Sequence, residues 1–165
     1  MYEVRQLEAG DAVDYRDIRL EALEDCPEAF GASHAEDQGL PVIRYEGALA
    51  VNHIYGGFKG GQLEGVIAVS RPNFIMTHHK ATIFGVYVRN EARGTGLSDE
   101  LLKSVLHHAG EKIECLHARA PTINESAVAF FRRNAFEIYG TEARALRLED
   151  GSYVDEHLMC RMMAS

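Results

Sequence analysis

No stretch of the chain approaches the roughly 20 consecutive apolar residues that a helix needs to cross a bilayer. The first residues, Met1-Tyr2-Glu3-Val4-Arg5, carry neither the basic start nor the apolar run of a secretory leader. The expected location is therefore cytoplasmic, with no membrane partner. Cysteine is scarce. Cys26, Cys115 and Cys160 are an odd number without close spacing, which suits reduced thiols and argues against a disulfide framework. Basic residues form no run, and 17 Lys and Arg against 25 Asp and Glu leave a formal net charge of −8. That balance opposes attraction to nucleic acid, and an acidic body mildly favours a cationic amine as substrate.

Chemical signatures are missing as well. There is no Gly-x-Ser-x-Gly elbow for a serine hydrolase and no Gly-Lys-Ser or Gly-Lys-Thr for a P-loop. The 8 histidines include the adjacent pairs His78-His79 and His107-His108 but no pair at i, i+4, the spacing that puts two imidazoles on one helix face. No metal is expected.

What is present fits a single globular domain over residues 1–165, with 46% apolar residues and enough length to bury about two thirds of the unfolded surface. Tyr2 to Leu7 predicts a strand. Asp11 is placed to cap a helix carrying Val13, Ile18, Leu20 and Leu23, which Cys26-Pro27 ends. A loop over 27–33 holds Phe30, either packed on the core or lining a pocket, and a second helix is expected from about Leu40 to Val51 with Pro41 in its first turn. His53 to Phe58 and Leu63 to Ser70 flank Lys59-Gly60-Gly61-Gln62 as a hairpin. Further on, Lys112 to Arg119 predicts a strand, Asn124 caps a helix with Ala127, Val128, Phe130 and Phe131, and two strands follow, from Phe136 and over Tyr153 to Met162.

Residues 80–109 organise the rest. Val86, Tyr87 and Val88 close a strand-like run, and Leu97, Leu101, Leu102, Val105, Leu106 and Ala109 recur at helical spacing. A helix therefore opens with Arg93, Gly94, Thr95 and Gly96 at its mouth. Its first N–H groups have no internal partners and lie at the positive end of the helix dipole, and glycines let a ligand come close. This is an anion cradle suited to phosphate. A Rossmann fingerprint would need a third glycine, which Gly94-Thr95-Gly96-Leu97-Ser98-Asp99 lacks.

The segment Arg93-Gly94-Thr95-Gly96-Leu97-Ser98 resembles the pyrophosphate-binding motif of the GNAT superfamily of acyl-CoA-dependent N-acyltransferases, with Ser98 at a position usually held by Gly or Ala. A second run, from Asn124 to Phe136, resembles the family's later motif without a gap. Asn124, Ala127 and Phe136 match, Phe131 stands at the family's Tyr, and Ala135 stands at its Gly. Asn134 is expected to supply the left-handed residue in place of that Gly. The Pro27-Glu28-Ala29-Phe30-Gly31 loop and the hairpin extend the likeness over most of the chain.

The resemblance implies a mixed α/β (α+β) fold, a twisted and mostly antiparallel sheet with a parallel splayed pair and flanking helices. It implies acetyl-CoA as co-substrate, its pantetheine beside Val86 and Val88, the N–H of Tyr87 or Val88 on the thioester carbonyl, and Asn124 and Phe131 beside the arm. Arg132 or Arg133 would stand near the nucleotide phosphates. GNAT enzymes often place a Glu on the central strand, but Lys80 to Val88 has no carboxylate. His79, Glu142, Asp155 and Glu156 are the nearest polar alternatives, with Glu142 and Asp155 the catalytic candidates and Phe30, Ser33 and Glu156 the substrate-side ones. The expected activity is transfer of an acetyl group to a small-molecule or peptide primary amine by direct attack. The alternatives are a non-catalytic acyl-CoA-binding or regulatory domain and a homodimeric interaction module.

Overall fold

The computed structural model describes residues 1–163. Seven strands form one sheet in the order β1-β2-β3-β4-β5-β7-β6. They are β1 (Glu3–Gln6), β2 (His53–Lys59), β3 (Gln62–Ser70), β4 (Lys80–Val88), β5 (Cys115–Pro121), β6 (Glu137–Arg147) and β7 (Tyr153–Met162). All neighbours are antiparallel except β4 and β5. Among the described residues five α-helices flank them: α1 (Ala12–Asp25), α2 (His34–Gln38), α3 (Val42–Val51), α4 (Leu97–Ala109) and α5 (Glu125–Arg133). β3 is buried on both faces because helices cover both, which is why its Leu63 to Val69 run is nearly continuous in apolar residues. Ile54, Val66, Ala68 and Tyr87 join α1 and α3 in one core layer, while Ile67, Ile83, Leu116 and Ala118 meet α4 and α5 in the other.

Two local features position the site. The parallel pair is short: Lys80, Ala81 and Thr82 pair with Cys115, Leu116 and His117, and beyond that the strands separate. The bend in β4 coincides with a bulge in which Ile67 of β3 faces both Gly85 and Val86, and Gly85 takes φ +60°, which a side chain resists. Secondly, α4 sits unusually close to the sheet. A Cβ at Gly57 would lie within 3 Å of the Leu97 side chain, and one at Gly65 would press on Leu97 and Leu101. These two glycines face each other on β2 and β3 and form the floor on which the first turn of α4 rests.

The structure departs from the sequence expectations at some boundaries. α2 lies where the sequence predicts only loop. It is a short helix closed by a capping box in which Ser33 and Glu36 exchange hydrogen bonds. α3 starts at Val42 with Pro41 outside it, and β5 starts at Cys115, because the N–H groups of Lys112 and Ile113 still bond to the end of α4. Asp11 precedes α1, but its carboxylate turns back to the Glu8 N–H and the Arg5 guanidinium. The left-handed residue after α5 is Ala135 (φ +68°), while Asn134 has φ −101°. The Phe136 N–H bonds the Phe131 carbonyl and the Ala135 N–H bonds the Arg132 carbonyl, a Schellman pattern that puts the left-handed turn at 135. Phe131 and Phe136 meet edge to face at 5.1 Å and seal it.

Candidate active site

The cradle is built as the local sequence dictates. After β4, a 3-10 turn over Asn90–Ala92 leads to Gly94 (φ +75°) and Gly96 (φ +88°), and α4 begins at Leu97. Glu100 supplies the first N–H that bonds back into the helix, to the Gly96 carbonyl, so the N–H groups before it face the loop. A Cβ at Gly94 or Gly96 would meet no atom within 4 Å, so this side of the backbone is open to a ligand. The Thr95 hydroxyl donates to the Ala92 carbonyl and holds the turn. Leu97 is fully buried on the glycine floor, so only its backbone faces the cradle. A cleft of about 420 Å³ runs from here past Val86, Val88, Ser98, Asn124 and Phe131. Asn124 caps α5 by accepting from the Ala127 N–H at 3.1 Å.

Arg93 does not reach into this cleft as an unpaired cation. Its Nε donates to the Val88 carbonyl (3.0 Å), Nη1 to Asn90 Oδ1 (3.3 Å) and Nη2 to Asp25 Oδ2 (2.6 Å). Asp25 also accepts from the Tyr87 hydroxyl at 3.1 Å. The Arg93 guanidinium, then Tyr87, holds the Asp25 carboxyl below its ordinary value, and burial with Glu21 and Asp25 nearby pushes the Tyr87 phenol up. Arg133 lines the same cleft and bonds Asp99 Oδ1 at 3.1 Å, while Arg132 does not line it.

Strand register decides which peptide groups face the splay. The Arg89 N–H bonds the Glu64 carbonyl on β3 and Tyr87 stands opposite Val66. By strand alternation the peptide groups of Tyr87 face β3, and the N–H of Val88 faces the opening. Of the two residues the resemblance offered for the thioester carbonyl, Val88 therefore has the suitable orientation.

A second cleft of about 390 Å³ lies toward α1 and β7, with Arg19, Phe30, Phe84, Arg119 and Glu156 in its walls. It meets the first at Val86, Ala127 and Phe131, which line both. Phe30 does both things foreseen for it, packing on the core and lining this cleft beneath Arg19, whose guanidinium is 5.4 Å from its ring centre. Ser33 lines a continuation of the cleft on the far side of Phe30 and caps α2.

Glu156 is only 9% exposed. It stands directly opposite Glu142 on β6, a like-charge pair that would repel, and Arg119 from β5 bridges the two. The hydrogen bond with Glu142 is the main reason the Arg119 pKa rises. Glu142 sits behind this bridge rather than in the wall of the cleft. Asp155 points to the other side of β7 and accepts from the Arg144 N–H at 2.8 Å, bracing the β6 bulge where Arg144 takes φ +51°. His79 lies at the paired end of β4, its carbonyl bonded to the Glu114 N–H, away from the meeting of the clefts. Of the four polar groups, only Glu156 lines the acceptor-side cleft. Asp25, Arg19 and Arg119 gave no local sign in the sequence, since their partners lie 68, 18 and 37 residues away.

Residues 15–136 match the sequence model of the acetyltransferase (GNAT) family. No curated protein matches the chain. Solved structures share its fold at low identity. A GNAT-family acetyltransferase from Streptococcus pneumoniae superposes with a TM-score of 0.86 at 19% identity, covering 99% of this chain and 100% of its own. The ribosomal-protein-alanine N-acetyltransferase of Brucella melitensis gives 0.84 at 21%, covering 98% and 99%. YncA from Salmonella typhimurium, solved with its cofactor acetyl-CoA, gives 0.83 at 15%, covering 100% and 95%. Among the described residues no helix is long and apolar enough to cross a membrane.

Proposed function

The chain belongs to the acetyltransferase (GNAT) family, and on that premise we propose that it transfers the acetyl group of acetyl-CoA to a primary amine by direct attack. One observation carries this reading: a cleft that opens on the anion cradle and a cleft walled by a buried carboxylate meet at Val86, Ala127 and Phe131. The backbone of Gly94 to Ser98, at the positive end of α4, holds the pyrophosphate. The splayed end of β4 takes the pantetheine arm as an extra strand would be taken, and the Val88 N–H donates to the thioester oxygen, where negative charge develops during attack. Glu156 faces the incoming amine and accepts its proton, directly or through a water, so that the nitrogen attacks as a neutral group. The new C–N bond forms as the C–S bond breaks, and the thiol leaves as thiolate. Phe131 has no proton to give it. A thiol with a pKa of about 8.5 leaves readily, and solvent or the proton shed by the amine restores it.

Phe131 also supports a second reading, an acyl-CoA-binding or regulatory domain that has lost its proton-transfer group. The test is release of free thiol from acetyl-CoA with a panel of amines: small amines, polyamines, amino acids and peptide N-termini. Amine-dependent release supports the enzyme. Tight binding of acetyl-CoA by calorimetry without release for any amine supports the binder.

A further inference from the structure

On the sheet face that carries Arg119 and Glu156, one row toward the paired end of the splay, three soft ligands converge. Cys115 and His117 are two residues apart on β5 and so share a face, and Cys160 on β7 is the direct cross-strand partner of His117. One ligand atom from each lies within 4.8 Å of the others. All three cysteines of the chain are free thiols. The buried His117 Nε2 has no hydrogen-bond partner, while Nδ1 lies 3.5 Å from the Tyr139 hydroxyl. Met162 is the cross-strand partner of Cys115, and its sulfur lies 3.8 Å from Cys160 Sγ.

We propose that Cys115, His117 and Cys160 form a binding site for a thiophilic d10 cation, Zn²⁺ or Cu⁺, clamping β5 to β7 beside the acceptor cleft. An unpaired buried nitrogen costs stability, and a metal bond removes that cost. The imidazole is arranged as metal-bound imidazoles commonly are, one nitrogen toward a polar neighbour and the other left for the metal. Two thiols and an imidazole are a soft donor set that suits Zn²⁺ or Cu⁺ and not Mg²⁺ or Ca²⁺. On binding, both thiols release their protons to solvent, and the two thiolates balance the charge of Zn²⁺. The fourth position goes to water for Zn²⁺, or to the Met162 thioether for Cu⁺. The site escapes a search of the sequence for metal spacings because the third ligand follows the second by more than 40 residues and no histidine pair is involved.

The full chain, reduced and stripped with a chelator, is titrated with Co²⁺ as a spectroscopic substitute for Zn²⁺ and then back-titrated with Zn²⁺. The expected result is one Co²⁺ per chain with a thiolate-to-cobalt charge-transfer band and tetrahedral visible bands, both removed by Zn²⁺. Cys160→Ser and His117→Ala abolish the bands, and Tyr139→Phe weakens binding about tenfold or more, as loss of an outer hydrogen bond to a metal-bound histidine does. Circular dichroism checks that each variant folds. Cys160 is partly exposed, so Cys160→Ser carries the test if His117→Ala does not fold. A Cu⁺ arm uses competition with a colorimetric chelator, and loss of affinity in Met162→Leu in that arm alone identifies copper. An octahedral cobalt spectrum, binding that survives Cys160→Ser, or no saturable binding of either ion overturns the proposal.

Discussion

Asp25, the last residue of α1, and Arg93, the first residue of the cradle motif, are joined at 2.6 Å across 68 residues of chain. Tyr87 lies beside them, its hydroxyl on the same carboxylate and its ring 5.5 Å from the guanidinium. One side chain thus fastens the helix beside the second cleft to the loop proposed to cradle phosphate. Arg93 acts here as a bolt for the loop, through the Val88 and Asn90 oxygens as well as Asp25.

This bolt has a defined response to pH. The folded-state pKa of Asp25 is depressed, so its contribution to stability is fully present above its ordinary value of 3.8 and is lost as pH falls through the depressed value. Both partners are nearly half exposed, so the effect is below about 1 kcal/mol after solvent screening. Urea unfolding from neutral pH down to about pH 3 should show a shallower acid loss in Asp25→Asn than in the parent.

Gly96→Val should weaken CoA binding at least tenfold by calorimetry. The position has φ +88° and an open side, so a branched side chain there occupies the ligand's space. The strain costs the fold about 1–2 kcal/mol, and thermal unfolding should show a native but less stable protein. Unchanged CoA affinity would remove the cradle from the site.

Ala135→Gly should stabilise the protein by about 1 kcal/mol, because alanine is held at φ +68° where glycine carries no penalty. Asn134→Gly should not, since that residue lies at negative φ and its side chain bonds the Phe130 carbonyl at 2.8 Å. Denaturant midpoints of the two variants decide the matter.

Glu156→Gln should lower kcat/KM for the amine by about 10²-fold or more with CoA affinity unchanged, the loss typical of a positioned proton acceptor. Asp155→Asn should leave turnover near that of the parent, because its carboxylate braces a bulge on the other side of β7. Equal losses in both would move the proton acceptor elsewhere.

Phe131→Tyr should keep turnover within about tenfold of the parent, since thiolate departure needs little assistance. Phe131 is 4% exposed, between Phe130 and Phe136. A rise in kcat of a hundredfold or more, with CoA binding no tighter, would make proton supply limiting and favour the binding-domain reading.

What could be seen in advance follows the range of the forces involved. The Asn124 cap and the cradle are written in a few adjacent residues, and both have the expected backbone. The hairpin and the last strand were equally plain, since alternation and turn residues are local. The local sequence points to Asn134 for the left-handed position after α5, one residue before its place in the structure. Local preference favours Asn134, but the Phe131–Phe136 contact and the Schellman bonds require the turn at Ala135. Arg119 between Glu142 and Glu156 and Cys160 opposite His117 are products of strand order and register, and Arg93 on Asp25 joins the end of α1 to the loop after β4. No spacing in the chain announces them.

The glycine floor under α4 has a consequence for how the site tells one ligand from another. Gly57 and Gly65 set how near Leu97 comes to the sheet, and Leu97 is the first residue of the helix that opens the cradle. The cradle and Val88 are therefore both anchored to β3, where Gly65 lies under Leu97 and stands opposite Val88, and the span between them works as a ruler. On the proposed function, a diphosphate ester would be accepted when its arm carries the reactive carbonyl across that span, and shorter or longer arms would misplace it. A methyl group at 57 would press on the Leu97 side chain from beneath, lift the helix and reset the ruler from outside the cleft.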